Sequence, residues 1–335
     1  MAGSPAAGAR QPGDPSGPSS AEQATHHQRA VTVRALAAHQ RARAIFAGYR
    51  AAAVIARALP EAALPRMTRF SGAVFSAALP GRRSMVRRHL QRVSGGKLDG
   101  EALDRAVGRA FTSYAQYWAD SFRLFDLSAA DLGRHVQREG FEHLDAGIAQ
   151  GRGVILGVPH LGSWDRGGAW LASVGYPLTV VVEPLEPPEL FDWFVEMRRA
   201  VGMTVVPLGL RAGAAVLRTL RDGGVVALLS DRDLVGTGVE VDFFGERTSL
   251  PAGAATLALR TGAALLPATM YSNEHGLNHV VIRPPLPVER LGVVADDVAR
   301  ITQALARELE GLIRLAPEQW HLFQPNWPSD PGYGV

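Results

Sequence analysis

A histidine and an aspartate lie five residues apart in the segment 157–166, directly after the apolar run 154–156. An imidazole becomes an effective general base when a carboxylate holds one ring nitrogen and fixes the tautomer, so we expect Asp165 to hold His160. Free backbone N–H groups at Gly162 and in the following helical turn would stabilise an oxyanion. Taken alone, the pair also fits a helix-stabilising aspartate beside a structural histidine, or a fragment of a metal site.

Other kinds of site fit this sequence less well. Ser163 lies between the two residues, but the surrounding sequence is not the Gly-x-Ser-x-Gly elbow of serine hydrolases, so we expect a helix cap rather than a nucleophile. The glycines at 151 and 153 do not begin a dinucleotide or Walker fingerprint. The chain has no cysteine, which excludes a thiol nucleophile and a thiolate zinc site. We predict no metal, since one His and one Asp form a poor cage.

The pattern of elements predicts where this segment lies. From residue 151 onward, short apolar runs alternate with helical periodicities, which is typical of an α/β fold with a central, mostly parallel sheet flanked by helices. The predicted strands are 154–158, 178–183, 203–206, 225–230, 264–271 and 279–283, with an extended segment at 240–244. The predicted helices are 163–174, 188–201, 212–221, 252–261 and 294–315.

Further charged residues follow two of the predicted strands. Glu183 ends one strand, and Asp231 and Arg232 follow another, so all three should lie at the same sheet edge as His160. Arg198 lies on the helix after Glu183 and could pair with one of these acids. Ordinary loop charges would explain any one of them alone, but their convergence on one edge favours a site.

The N-terminal third has a different character. Between Arg29 and Arg109 the sequence has 16 Arg or Lys residues against four Asp or Glu, and its apolar residues have helical spacing. Such a basic, helical portion favours a negatively charged partner surface, either anionic lipid or nucleic acid. We predict a disordered tail at 1–28 and a single domain at 29–335, with a helical membrane-docking portion at 29–125 and an α/β core at 150–335.

At this point several motifs, in the same order, resemble those of the bacterial glycolipid acyltransferases. They are His160-x-x-x-x-Asp165, the Val-Val-Glu at 181–183 with Arg198, the Ser-Asp-Arg-Asp-Leu at 230–234, the Val-Asp-Phe-Phe-Gly at 241–245, the Ser-Tyr-Ala-Gln-Tyr-Trp at 113–118 and the Pro-Glu-Gln-Trp-His-Leu-Phe at 317–323. Within this family the motifs are most similar to those of actinobacterial enzymes that acylate phosphatidylinositol mannosides.

The resemblance implies transfer of a fatty acyl group, palmitoyl in our expectation, from acyl-CoA to a mannose hydroxyl of a phosphatidylinositol mannoside. It implies that His160 is the base and Asp165 its partner, and that Glu183 and Arg198 are site residues. Asp231 takes the place of a family acid that is usually glutamate. Acyl-CoA is then a co-substrate, no cofactor is needed, and the enzyme is peripheral at the cytoplasmic face of the cell membrane.

Two alternatives remain at this stage. The acceptor could be lipid A or another glycolipid. In a different class, the chain could be a basic membrane-binding or nucleic-acid-binding module without catalytic activity. The intact His160/Asp165 pair argues against the second alternative, and we therefore expect an anionic membrane surface as a partner and no nucleic acid.

Overall fold

The computed structural model describes residues 40–234, 236–272 and 277–334 of the 335-residue chain. Two compact units divide at residue 48. In the first, residues 40–48 are helical, and the expected tail at 1–28 lies outside the described residues. The second unit begins with helical residues 49–58, named α1 here, and contains the sheet and all the predicted site residues.

The second unit is built on a seven-stranded sheet. Its strand order is β1-β9-β8-β2-β5-β3-β4, and every neighbouring pair is parallel except β8 and β9. A separate antiparallel hairpin joins β6 to β7. The strands are β1 (Val136–Glu139), β2 (Val154–Val158), β3 (Leu178–Val182), β4 (Thr204–Pro207), β5 (Val225–Leu229), β6 (Val239–Phe243), β7 (Glu246–Leu250), β8 (Ala264–Ser272) and β9 (Asn278–Ile282).

Helices cover the sheet because its central strands are apolar on both faces. The helices are α2 (Leu64–Ala78), α3 (Pro80–Val93), α4 (Gly100–Arg123), α5 (Ala129–Gly133), α6 (Phe141–Ala149), α7 (Trp164–Ser173), α8 (Pro188–Ala200), α9 (Ala212–Arg221), α10 (Gly253–Thr261) and α11 (Val294–Leu315). None of the helices among the described residues is both long and apolar enough to span a bilayer.

Two apolar clusters hold these layers together. In α11, buried residues recur every three or four positions, and Leu305 and Leu309 pack with the strand residue Ile155 in the main core. A second cluster joins α3 and α4 and includes Phe111. The helices α2 and α4 approach closely at Gly72, where an added Cβ would lie 2.7 Å from the Thr112 nitrogen.

The predicted fold class is confirmed, and the differences have local causes. The predicted strands and the later helices are present within one to two residues of their expected ends. The strand β1 was not predicted, because its Val-Gln-Arg-Glu sequence is polar and largely exposed at a sheet edge. The extended segment at 240–244 proves to be half of the β6–β7 hairpin, whose second strand, Glu-Arg-Thr-Ser-Leu, has too few apolar residues to be recognised.

The C-terminal segment is held against α3 by one buried carboxylate, that of Asp330. Its oxygens accept hydrogen bonds from His89 Nε2 (3.2 Å), from Arg88 and Arg92, and from the backbone N–H of Asn326 (3.0 Å). Burial raises the pKa of Asp330, but these hydrogen bonds, with the charges of His89 and Arg92, hold it well below its ordinary value.

We therefore expect Asp330→Asn to lower the free energy of unfolding by about 2–4 kcal/mol at pH 7, since buried donors lose a charged acceptor. Because the pKa of Asp330 is depressed in the folded state, its contribution is present above the ordinary Asp pKa and is lost as the pH falls. Urea unfolding from pH 7 to pH 3 measures both effects. Asp192→Asn, at an exposed carboxylate on α8, is the control, and equal losses in the two variants would contradict the assignment.

Candidate active site

The loop between β2 and α7 carries the predicted histidine and is fixed by backbone hydrogen bonds on both sides. Gly162 N donates to Gln319 O (2.9 Å), and Ser163 N donates to Met270 O (3.1 Å). Gly162 has a φ of +65°, and an added Cβ would lie 2.0 Å from Met270 O, so only glycine fits this position. His160 O accepts from His321 N at 2.7 Å.

The carboxylate that holds His160 is that of Asp231. His160 Nδ1 lies 2.7 Å from Asp231 Oδ1, and the backbone N–H of His160 donates to Asp231 Oδ2 at 2.9 Å. Parallel pairing explains this contact, because Val158 of β2 lies opposite Leu229 of β5 and the same register continued by two residues puts His160 opposite Asp231.

The Asp231 carboxylate is buried and ionised. Burial alone would raise its pKa, but the charge and hydrogen bonds of His160, together with the Trp320 indole N–H (2.8 Å), lower it. An ionised carboxylate only accepts hydrogen bonds, so Nδ1 of His160 carries a proton. In the neutral imidazole, Nε2 then has the free lone pair that a general base requires.

Asp165, the expected partner of His160, has a different partner, and that contact was predicted wrongly. Its two oxygens accept hydrogen bonds from Arg198 Nε (2.7 Å) and Arg198 Nη2 (3.0 Å), and Oδ2 also accepts from the Tyr117 hydroxyl (2.8 Å). Asp165 has this partner because it is the second residue of α7. From that position its side chain contacts α8 and α4 instead of the sheet edge.

The Asp165–Arg198 pair is a buried, two-pronged salt bridge with 5% and 14% of the side chains exposed. Burial lowers the pKa of Arg198, but the Asp165 charge outweighs it and the pKa is raised, so the guanidinium stays charged. Burial and the same carboxylate hold the pKa of Tyr117 well above its ordinary value. The cluster therefore keeps one positive and one negative charge with a neutral phenol, and it ties α7 to α8 and α4.

Ser163 is not the side-chain cap that the sequence predicts. It occupies the N-cap position of α7 without a capping hydrogen bond, and its hydroxyl donates to Asp120 Oδ2 at 2.9 Å. Asp120, on α4, also accepts from Gln116 (2.7 Å). Burial raises the pKa of Asp120, and Ser163 thus fastens the β2–α7 loop to α4 through this half-buried acid.

A cavity of about 650 Å³ opens beside His160. Its wall is mostly apolar and comes from the carboxyl ends of the central strands and from α7, with Trp164 and Phe194 among the aromatic side chains. Among its polar residues are His160, Asp165, Glu183, Arg198 and Arg232. An apolar cavity with a few convergent polar groups is the usual form of a small-molecule site.

Glu183 and Arg232 line this cavity, but neither forms a hydrogen bond with His160. Glu183 follows β3 and is exposed, and Arg232 follows Asp231 and is half-buried. Burial lowers the pKa of Arg232 in spite of the nearby charges of Glu183 and Asp231. Arg198 pairs with Asp165, so the expected pairing of Arg198 with Glu183 or Asp231 is wrong.

The backbone donors differ from those expected. The N–H groups of Gly162 and Ser163 are taken by carbonyl oxygens, so they cannot stabilise an oxyanion. The first helical hydrogen bond of α7 runs from Gly167 N to Ser163 O, which leaves the N–H groups at Trp164, Asp165 and Arg166 ahead of it. In the part of the chain that the structure describes, no cluster of three or more His, Asp or Glu residues could hold a metal ion.

Four residues of the site had no role assigned from the sequence: Tyr117, Asp120, Trp320 and His321. Three of them lie in the segments 113–118 and 317–323, whose motifs carry the family resemblance. Those segments were therefore recognisable as important, but their contacts depend on tertiary packing. Asp120 has no such indication in its local sequence.

The family model for bacterial lipid A biosynthesis acyltransferases matches residues 35–329. The chain belongs to this family. The resemblance expected from the ordered motifs is confirmed, and the protein is an O-acyltransferase. The matched region includes Asp231, which holds the His160 ring. It also includes Asp165, which follows His160 by five residues in the sequence.

Curated relatives of this acyltransferase include enzymes of two names. Phosphatidylinositol mannoside acyltransferase of Mycolicibacterium smegmatis is 38% identical over 286 residues, which cover 84% of this chain and 91% of the relative. The protein of the same name from Mycobacterium tuberculosis is 39% identical over 287 residues, covering 84% and 88%. Lipid A biosynthesis acyltransferase of Haemophilus influenzae is 28% identical over 219 residues, covering 65% and 67%.

We expect substitutions of Asp231 and Asp165 in the acyltransferase to affect different properties of the enzyme. Asp231→Asn removes the charge that fixes the His160 tautomer, so we expect the kcat of the folded enzyme to fall by roughly 10²–10⁴, together with a loss of stability because buried donors lose a charged acceptor. Asp165→Asn leaves the Arg198 charge buried without its counterion, so we expect the free energy of unfolding to fall by about 3 kcal/mol. Acyl-transfer rates and urea unfolding of both variants, with Asp192→Asn as control, separate the roles. The reverse pattern would show that Asp165 is the partner of the base.

Proposed function

We propose that this acyltransferase transfers a fatty acyl group, palmitoyl in our expectation, from acyl-CoA to a mannose hydroxyl of a phosphatidylinositol mannoside. The observation that carries the proposal is the placement of His160, oriented by a buried carboxylate, at an apolar cavity. The names of the mycobacterial relatives, at 38–39% identity over most of both chains, support the acceptor.

In the proposed reaction, His160 Nε2 takes the proton of the sugar hydroxyl as its oxygen attacks the thioester carbonyl carbon. The tetrahedral intermediate then collapses, the C–S bond breaks, and the imidazolium returns the proton to the departing sulfur of CoA. Asp231 stabilises the imidazolium that forms between these steps. Help of this kind from a general base contributes roughly 10²–10⁴-fold to the rate.

The negative charge on the carbonyl oxygen needs donors during this step. We assign this role to the first backbone N–H groups of α7, beginning at Trp164, because a helix N-terminus favours negative charge. Arg198 is less suited, since Asp165 already occupies two of its donors. The acyl chain would occupy the apolar cavity, which excludes water from the thioester.

A related acceptor is the second candidate. The Haemophilus influenzae relative is named for lipid A biosynthesis, and the family model carries the same name, so another glycolipid acceptor fits the same chemistry. The higher identity and coverage of the mycobacterial relatives favour the mannoside.

The activity can be tested with purified protein, palmitoyl-CoA and mono- or dimannosylated phosphatidylinositol. Mass spectrometry should detect a lipid heavier by one palmitoyl group, and His160→Ala should reduce its rate of formation by at least roughly 10²-fold because the base is lost. Lipid A precursor in place of the mannoside distinguishes the two acceptors. Near-full transfer by His160→Ala would overturn the mechanism, and no product with either acceptor would overturn the proposed reaction.

We also propose that the enzyme docks on the cytoplasmic face of an anionic membrane. The helix α2 leaves Phe70 (72%), Val74 (46%) and Phe75 (44%) exposed beside the arginines Arg66 and Arg69. An apolar helical face flanked by basic residues is typical of interfacial helices.

Arginines on α3 are less suited to this contact than their density in the sequence indicates. Arg83 and Arg87 both pair with Asp104, and Arg88 pairs with Asp330. Their charges are partly compensated within the protein, so the apolar face of α2 is the better place to test docking.

We expect the double variant Phe70→Ser/Val74→Ser to bind vesicles of phosphatidylcholine and phosphatidylinositol about tenfold or more weakly, because each apolar side chain contributes to burial in the interface. Cosedimentation measures this. The control is Leu291→Ser, at a leucine that is about as exposed as Phe70. Leu291 lies in the loop after β9. Because β9 runs antiparallel to β8, this loop begins at the sheet edge opposite to that of His160. Unchanged binding of the double variant would refute docking through α2.

A further inference from the structure

A second cavity, of about 930 Å³, lies within the same unit as the active site. It is lined by residues of α2, α3 and α4 and by the segments around Gly162 and Gln319. Its character differs from that of the first cavity, because arginines and hydroxyl groups replace most of the apolar side chains.

The charge of this second cavity is mostly positive. Its wall contains four arginines: Arg69, Arg83, Arg105 and Arg109. Among the described residues that line it, Glu318 is the acidic one. Two of the arginines are partly compensated from outside the cavity: Arg83 lies 3.2 Å from Asp104, and Arg105 lies 3.2 Å from the exposed Glu101. Among the described residues, Arg109 has no hydrogen-bonding or ion-pairing partner.

Neutral donors complete the polar wall. Ser76 is buried, and its hydroxyl oxygen accepts a hydrogen bond from Arg83 at 2.8 Å. The Ser113 hydroxyl lies 2.9 Å from His321 Nε2. Burial, with the charge of His160, lowers the pKa of His321 to about 3, so this histidine is neutral and the positive charge of the cavity belongs to the arginines.

Neighbouring residues of the β2–α7 loop and of the first turn of α7 line the two cavities. His160, Trp164 and Asp165 line the first cavity, whereas Gly162 and Ser163 line the second. A molecule in the second cavity would therefore lie against Gly162 and Ser163, which follow the proposed base His160 closely in the sequence.

The first cavity offers little positive charge for a phosphate. Asp165 neutralises Arg198, and Glu183 lies near Arg232. Both proposed substrates carry phosphate: the lipid acceptor has a phosphodiester, and acyl-CoA has several phosphate groups. Arginine guanidinium groups with hydroxyl donors are the residues that proteins use to bind such groups.

We propose that the arginine-lined cavity between α2 and α4 binds a phosphate ester of one of the two substrates while the reacting atoms lie at His160. The proposal rests on the proposed function, since that function supplies the phosphates. Arg109 is the residue best placed for the contact, because its charge is uncompensated. The apolar exposed face of α2 would lie close to a lipid headgroup held in this way.

The test uses full-length His160→Ala protein, so that binding is measured without turnover, and two probes: coenzyme A and glycerophosphoinositol. Calorimetry should show that Arg109→Gln binds one of them about tenfold or more weakly, because a charge-assisted hydrogen bond is lost, and that Arg109→Lys is intermediate. Higher salt should reduce the difference. Arg307→Gln, at an exposed arginine on α11, should have no effect.

The identity of the affected probe distinguishes the two sources of phosphate. Weaker binding of coenzyme A alone assigns the cavity to the acyl donor, and weaker binding of glycerophosphoinositol alone assigns it to the lipid acceptor. Equal binding by Arg109→Gln and Arg307→Gln, or no binding of either probe, would overturn the proposal. Failure of acyl transfer by the wild-type enzyme, with Arg109-dependent binding intact, would instead count against the proposed function alone.

Discussion

The active site depends on one carboxylate that binds both the backbone and the side chain of the same residue. Asp231 accepts from the N–H and the ring of His160, and also from the indole of Trp320, while its own carbonyl accepts from Asn326. A buried carboxylate without these donors would be costly, so the donors and the ionised state stabilise one another. The end of β5, the β2–α7 loop and the C-terminal segment are thus held together by a group that also sets the tautomer of His160.

The two buried aspartates near the β2–α7 loop, Asp231 and Asp165, have different partners. We assign Asp231 to the proposed reaction and Asp165 to the stability of the fold. In the proposed mechanism His160 gains and loses a proton, so the negative charge of Asp231 would stabilise a positive charge that forms only during the reaction. Asp165 faces Arg198, which is always charged, so this pair is fixed and joins three helices. The role of each acid depends on the partner that the fold gives it.

The sequence was sufficient for the fold class, because apolar strands and helical periodicities are local patterns. It also placed His160 and Asp231 at the same sheet edge, where the structure shows them in contact. The partner of His160 was assigned wrongly because proximity along the chain favoured Asp165, whereas contact depends on strand pairing. The strands at 154–158 and 225–230 were both predicted, but the sequence did not show that they are neighbours in the sheet or how they are aligned, because both properties are non-local. The roles of Tyr117 and Trp320 follow from packing across more than 40 residues of chain and could not be derived from their surroundings.

The tight fit of Gly162 against Met270 has a consequence for how substrates are recognised. A loop pinned by strand β8 on one side and by the 319–321 segment on the other has little conformational freedom to lose when a ligand arrives. If His160 is the base, as proposed, it is therefore preorganised, and binding energy from either proposed substrate need not be spent on ordering it. Selectivity would then come from the fit of rigid walls to the ligand rather than from a conformational closure that assembles the catalytic group.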